Sequence, residues 1–141
     1  MAPIFNGRAL PEYKILKHKL KQRGFSVRFF YEKGNGIKSL LDKTGRLTDF
    51  RGLFLFSQPK SRFVYVRESD HVLHDIQQTV RGERQKDEQF LRKIAGQYGF
   101  RSALAGQEYL KSMEVRWIEV FQKSKRLSLC HTIQSLGGKL I

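Results

Sequence analysis

Gly52-Leu53-Phe54-Leu55-Phe56, the turn formers Ser57-Gln58-Pro59-Lys60 and then Arg62-Phe63-Val64-Tyr65-Val66-Arg67 make up the stretch from which the fold is read. Two runs of aromatic and β-branched residues around a polar turn predict an antiparallel hairpin, because such side chains fit a pleated, half-buried surface. Downstream, Ser69-Asp70 is placed to cap a helix whose apolar stripe is Val72, Leu73, Ile76 and Val80. A second helix is expected over about Glu83 to Tyr98, with Phe90, Leu91 and Ile94 inward and Gly99 as its stop. Residues 102–112 suit a short helical stretch. Glu114-Val115-Arg116-Trp117-Ile118-Glu119-Val120 alternates as a half-buried strand does, with Val115, Trp117 or Ile118, and Val120 competing for the buried side. Ser124 to Leu136 carries Leu127, Leu129, Ile133 and Leu136 and ends at Gly137-Gly138, which predicts a last helix. From Gly52 onward the expected order is β-β-α-α-β-α.

Working upstream, residues 1–9 read as a loose arm. Pro11 to Arg23 places Tyr13, Leu16 and Leu20 on one helical face and spreads Lys14, Lys17, Lys19 and Lys21 over the rest. Phe25, Val27, Phe29 and Tyr31 alternate with Ser26, Arg28, Phe30 and Glu32, which predicts a strand ended by Lys33-Gly34-Asn35-Gly36. Residues 37–50 are expected to be mostly irregular, with a helical turn open to Ile37, Leu40 and Leu41 and a loop at Thr44-Gly45. The chain thus divides into a basic N-terminal helix–strand extension, 1–51, packing on a core unit, 52–141.

Charge is the strongest compositional signal. Lys and Arg number 27 against 13 Asp and Glu, giving +14 over 141 residues. The excess is densest in residues 1–51, with 12 cations against 4 acids. So large an imbalance points to an anionic partner, and nucleic acid is the commonest. The single cysteine, Cys130, excludes an internal disulfide and reads as a small buried residue rather than a nucleophile beside His131. His18, His74 and His131 bring no spaced set of ligands, so no metal site is expected. No apolar run approaches the roughly 20 residues needed to cross a bilayer. The N-terminus lacks a secretory pattern, which sets the expectation of an intracellular protein, cytoplasmic or nucleoid-associated, with an organellar address left open.

The order of elements from Gly52, with Gly52-Leu53-Phe54 on the first strand and Tyr65-Val66-Arg67 on the second, resembles the GIY-YIG nuclease domain over roughly residues 50–138. Ten residues separate Phe54 from Tyr65, a spacing usual for the two motifs. Glu68-Ser69-Asp70-His71-Val72-Leu73 is similar to the family's strand-to-helix passage, and Met113 to Val120 to its third strand. The resemblance implies an α/β (α+β) fold, a small three-stranded antiparallel sheet flanked by helices. It also implies a cleft in which a phenol or activated water, an Arg on the first helix and a metal-holding Glu hydrolyse a phosphodiester. An anionic transition state needs compensating positive charge, and a metal-bound water is the easier nucleophile.

This chain departs from that pattern at the positions that matter most. Phe54 keeps the ring and loses the hydroxyl, Arg67 replaces a glycine, and Asp75 stands where the Arg is expected. After Glu119 there is no carboxylate, the run being Arg126-Leu127-Ser128-Leu129-Cys130-His131. Glu108 and Glu114 read as surface carboxylates, and Tyr65, without its partners, as a strand aromatic. No catalytic set is therefore intact, and Phe54, Tyr65, Arg67, His71 and Asp75 outline a vestigial cleft. The expectation is a nucleic-acid-binding pseudo-nuclease, a subunit of a larger DNA- or RNA-handling complex, that needs no cofactor. Its phosphate contacts would come from Lys14, Lys17, Lys19, Lys21, Arg23, Arg28, Lys33, Arg67, Arg81 and Arg84. Two other readings stay open: a working Mg²⁺-dependent endonuclease with displaced residues, and a basic module that binds an acidic protein.

Overall fold

A computed structural model describes residues 7–32, 36–58 and 64–141. Six helices pack on both faces of one sheet. In chain order the elements are α1 (Pro11–Lys21), β1 (Phe25–Ser26), α2 (Ile37–Thr44), β2 (Gly52–Ser57), β3 (Val64–Ser69), α3 (Val72–Arg81), α4 (Gln85–Gly96), α5 (Ala103–Lys111), β4 (Glu114–Glu119), α6 (Lys123–Ser135) and β5 (Lys139–Leu140). The class is α/β, but the sheet has five strands and is mixed, where a three-stranded antiparallel sheet was expected. Its order is β1-β4-β2-β3-β5. The three long strands β4, β2 and β3 pair antiparallel, and two-residue strands extend the two edges, β1 antiparallel to β4 and β5 parallel to β3. These two additions carry no run of alternating residues long enough to be read locally.

Every residue of β2 is buried because both faces of the central strand are covered. Leu53 and Leu55 point to the side of α1 and α6, where Leu16, Val66, Ile118, Leu129 and Ile133 close a smaller core. Phe54 and Phe56 point to the side of α3, α4 and α5 and join Tyr65, Ile76, Phe90, Leu91 and Trp117. Residues before Gly52 supply both cores: Leu16 to the first, and Val27, Phe29, Phe30, Leu40 and Phe50 to the second. Gly52 itself lies against β4 so closely that a Cβ there would sit 2.0 Å from the Ile118 carbonyl oxygen. No helix among the described residues is long and apolar enough to cross a membrane.

Three local expectations are corrected. The strand foreseen from Phe25 stops after Ser26, and Val27–Phe30 is a 3-10 turn in which the Ser26 hydroxyl accepts from the Arg28 N–H at 3.3 Å. Phe29 and Phe30 are both buried, which strict alternation does not allow. The segment after Gly36 is helical rather than irregular: Ile37, Leu40 and Leu41 follow the helical repeat, and Gly45, at φ 70°, closes α2 in the left-handed conformation. Finally, α3 is capped from a distance. Asp49 accepts from the backbone N–H groups of Leu73 at 2.9 Å and His74 at 3.0 Å, whereas Ser69 accepts only from His71 and Asp70 turns to Arg126. The turn between β2 and β3 and Lys33-Gly34-Asn35 lie outside the described residues.

Candidate nucleic-acid interface

A cluster of cations forms where three segments meet at the β1/β4 edge. Leu16 anchors α1 in the core, which brings the last turn of that helix across β4. There the Lys19 ammonium donates to the Trp117 carbonyl oxygen at 2.8 Å. The chain then turns through Gly24, whose N–H donates to Glu114 at 3.1 Å, and pairs Phe25 with Val115. This seats the Phe25 ring on Trp117, stacked with centroids 4.9 Å apart and planes 25° from parallel. Because β1 has only two residues, no described strand pairs with the outer edge of β4 beyond Val115, and a groove of about 340 Å³ remains beside it.

The opposite wall comes from the end of α2. Gly45 turns the chain so that Lys43 lies over the Phe29 ring at 4.2 Å and Arg46 over the Phe50 ring at 4.0 Å. Five cations therefore line the groove, Lys19, Arg23, Lys43, Arg46 and Arg116, and no carboxylate does. Arg46 reaches Glu119 at 3.0 Å and Arg116 reaches Glu114 at 2.8 Å, while Lys19, Arg23 and Lys43 have no carboxylate partner among the described residues. Burial, and after it the Arg46 guanidinium, pull the Lys19 ammonium below its ordinary range. Crowded cations of this kind repel one another, and an anion placed among them relieves that repulsion.

The vestigial cleft is built differently. Phe54 and Tyr65 are core residues, and burial raises the Tyr65 phenol, with the Gln97 side chain partly offsetting it. Arg67, Asp75 and Cys130 border an open cleft of about 470 Å³ by β3 and α6, which neither Phe54 nor Tyr65 lines; His71 lies in an adjoining hollow with Asp75 and Arg84. Arg67 and Arg84 are held by carboxylates there, while Lys86 at the cleft has no ion pair among the described residues. Asp87, 0% exposed, receives Arg67 at 3.3 Å and Arg84 at 2.6 Å, and Asp75 receives the same two guanidiniums, with the Thr79 hydroxyl between them. Burial works to raise the Asp87 carboxyl, but the two arginines outweigh it and hold it below its usual range.

A second hub lies on the other side of β3. Arg126, 2% exposed, donates to Glu68 and Asp70, each at 2.9 Å, and to the carbonyls of Val120 and Phe121. Its guanidinium sits between Glu68 and Asp70, so these two carboxylates do not make a free pair for a divalent metal. Burial, then Glu68, push the Cys130 thiol up to about 12, with Arg126 offsetting in part.

Of the expected phosphate-binding residues, Lys19 and Arg23 are in the groove, and Lys14, Lys17, Lys21 and Arg28 are exposed near the N-terminal elements. Arg67 and Arg84 belong to the ion-pair network, Arg81 donates to the Phe30 carbonyl at 3.0 Å, and Lys33 lies outside the described residues. Phe25 is one of the N-terminal aromatics open to stacking on a base, whereas Lys43, Arg46, Arg116 and Trp117 carry no such expectation; the charge density of residues 1–51 is the one signal for the first two. A separate exposed aromatic surface joins α4 and α5, where Tyr98 and Tyr109 stack at 3.9 Å beside Phe100 and Leu104. Comparison of the chain with protein-family models, curated proteins and solved structures finds no match.

Proposed function

We propose that this protein binds nucleic acid without cutting it, on a scaffold resembling a GIY-YIG nuclease whose cleft has been converted into a structural ion-pair network. The observation that carries the reading is the β1/β4 groove, lined by five cations and no carboxylate. Arg67, Arg84, Arg92, Lys125 and Arg126 are paired with acids, and the excess of cations is densest in residues 1–51, which hold α1 and α2. Phosphate is the anion that such a row of Lys and Arg suits, because each contact releases a condensed counterion. The exposed Tyr98 and Phe100, which meet at Tyr109, support the further reading that the protein works as a subunit beside another protein in a nucleoprotein complex.

Fluorescence anisotropy with labelled DNA and RNA tests the proposal. Affinity should fall steeply between about 50 and 200 mM salt, and Arg23→Glu with Lys43→Glu should weaken binding and reduce the salt slope by about one per lost phosphate contact. A flat salt response, or unchanged binding by the double variant, refutes it. Incubation with plasmid and RNA, with and without Mg²⁺ or Mn²⁺, should leave both intact; cleavage abolished by Tyr65→Phe would overturn the non-catalytic reading.

A further inference from the structure

We infer that the β1/β4 groove takes a single strand, with an unpaired base entering against the Phe25–Trp117 stack while its phosphates lie on Lys43, Arg46 and Arg23. The inference rests on the nucleic-acid reading above and narrows it to one class of ligand. Two features of the groove carry it. Its cations stand beside an aromatic pair rather than on an open convex face, and Phe25, the more exposed member, lines the groove together with Trp117. A π-face is of use only to a base whose own faces are free, which in a duplex they are not.

Size points the same way. At about 340 Å³ the groove falls at the small end of the roughly 300–1,000 Å³ typical of ligand pockets, room for one nucleotide. The arrangement of chemistry across it is also consistent. The aromatic pair comes from β1 and β4, beside Arg23 and Arg116, and Lys43 and Arg46 come from the end of α2, so a base on the rings would have cations on both sides for its phosphates. The repulsion between Arg46 and the half-buried Lys19 would be relieved by the phosphate.

Trp117 is the chain's single tryptophan, so the groove carries its own reporter. The full chain is titrated with a dT₁₂ strand and with a 12-base-pair duplex at the same salt, following tryptophan emission and, separately, anisotropy of labelled versions of each. The single strand should bind at least tenfold tighter and quench Trp117. Phe25→Leu keeps an apolar side chain of similar size but removes the ring; it should weaken single-strand binding about tenfold, leave duplex affinity unchanged, and leave the salt slope unaltered. A circular dichroism melt confirms that the variant is folded; should it not be, Phe25→Tyr, which keeps the ring, must bind the single strand as the parent does. Equal or tighter duplex binding, or single-strand binding without any change in emission, overturns this inference while the broader reading stands. Failure to bind either ligand at 50 mM salt overturns both.

Discussion

Replacing Asp87 by Asn removes one negative charge and almost no volume from the centre of the α3/α4 ion-pair network. The carboxylate is fully buried and receives two guanidiniums, the Thr79 hydroxyl and the Arg84 N–H. Breaking a buried pair by removing one partner typically costs about 3–5 kcal/mol. Here the cost is smaller, because Asp75 still faces both arginines and the Arg84 side chain keeps 29% exposure. The expected loss is about 2–3 kcal/mol, which at a urea slope of roughly 2 kcal/mol/M moves the unfolding midpoint by about 1–1.5 M. Acid supplies the control. The folded-state carboxyl is held below the unfolded value of 3.8, so its contribution is complete above that pH and is lost as pH falls through the lower folded value. The gap between parent and Asp87→Asn should therefore be constant from about pH 7 to pH 5 and shrink below about pH 3.8. Nucleic-acid affinity should stay unchanged, since the network shares no residue with the groove. A gap under about 0.5 kcal/mol at pH 7, or one that widens on acidification, refutes the assignment of Asp87 as the charge that binds these helices together.

Asp49→Ala should cost about 1–2 kcal/mol in urea unfolding by stripping the cap from α3, and hydrogen exchange should quicken first at Leu73 and His74. Cys130 should resist thiol reagents at pH 8 in the folded protein: raising the thiol from 9.0 to about 12 cuts the thiolate about 1,000-fold, and urea should restore fast labelling.

The hairpin, α3, α4 and β4 were legible because each announces itself within a dozen residues, by aromatic alternation or by a stripe such as Val72, Leu73, Ile76 and Val80; α6 was legible as a helix but not in its inward face, since Leu127 and Leu136 are exposed and Arg126 is buried. Phe25 to Tyr31 misled because its apolar positions fit a strand and a tight turn equally well until both Phe29 and Phe30 must be buried. The Asp49 cap, the Arg126 hub and the Asp87 network have no local signature: their longest bonds reach 25, 58 and 20 residues along the chain. The groove was half legible for the same reason. A surplus of cations in residues 1–51 could be counted, yet which of them face Trp117 depends on α1 and α2 meeting β4, a matter of tertiary packing. Arg67 shows the converse, a cation that looked available for phosphate and is held by two aspartates.

The short β1 leaves part of β4 with a backbone rim that another extended chain could complete, and the Lys19 ammonium sits on that rim. Natural proteins guard such borders with charge. Lys19→Met, which removes both the charge and the donor, would free the Trp117 carbonyl for strand pairing between molecules. Loss of a single charge would then appear as slow self-association, and solubility would depend on the same corner of the molecule as ligand capture.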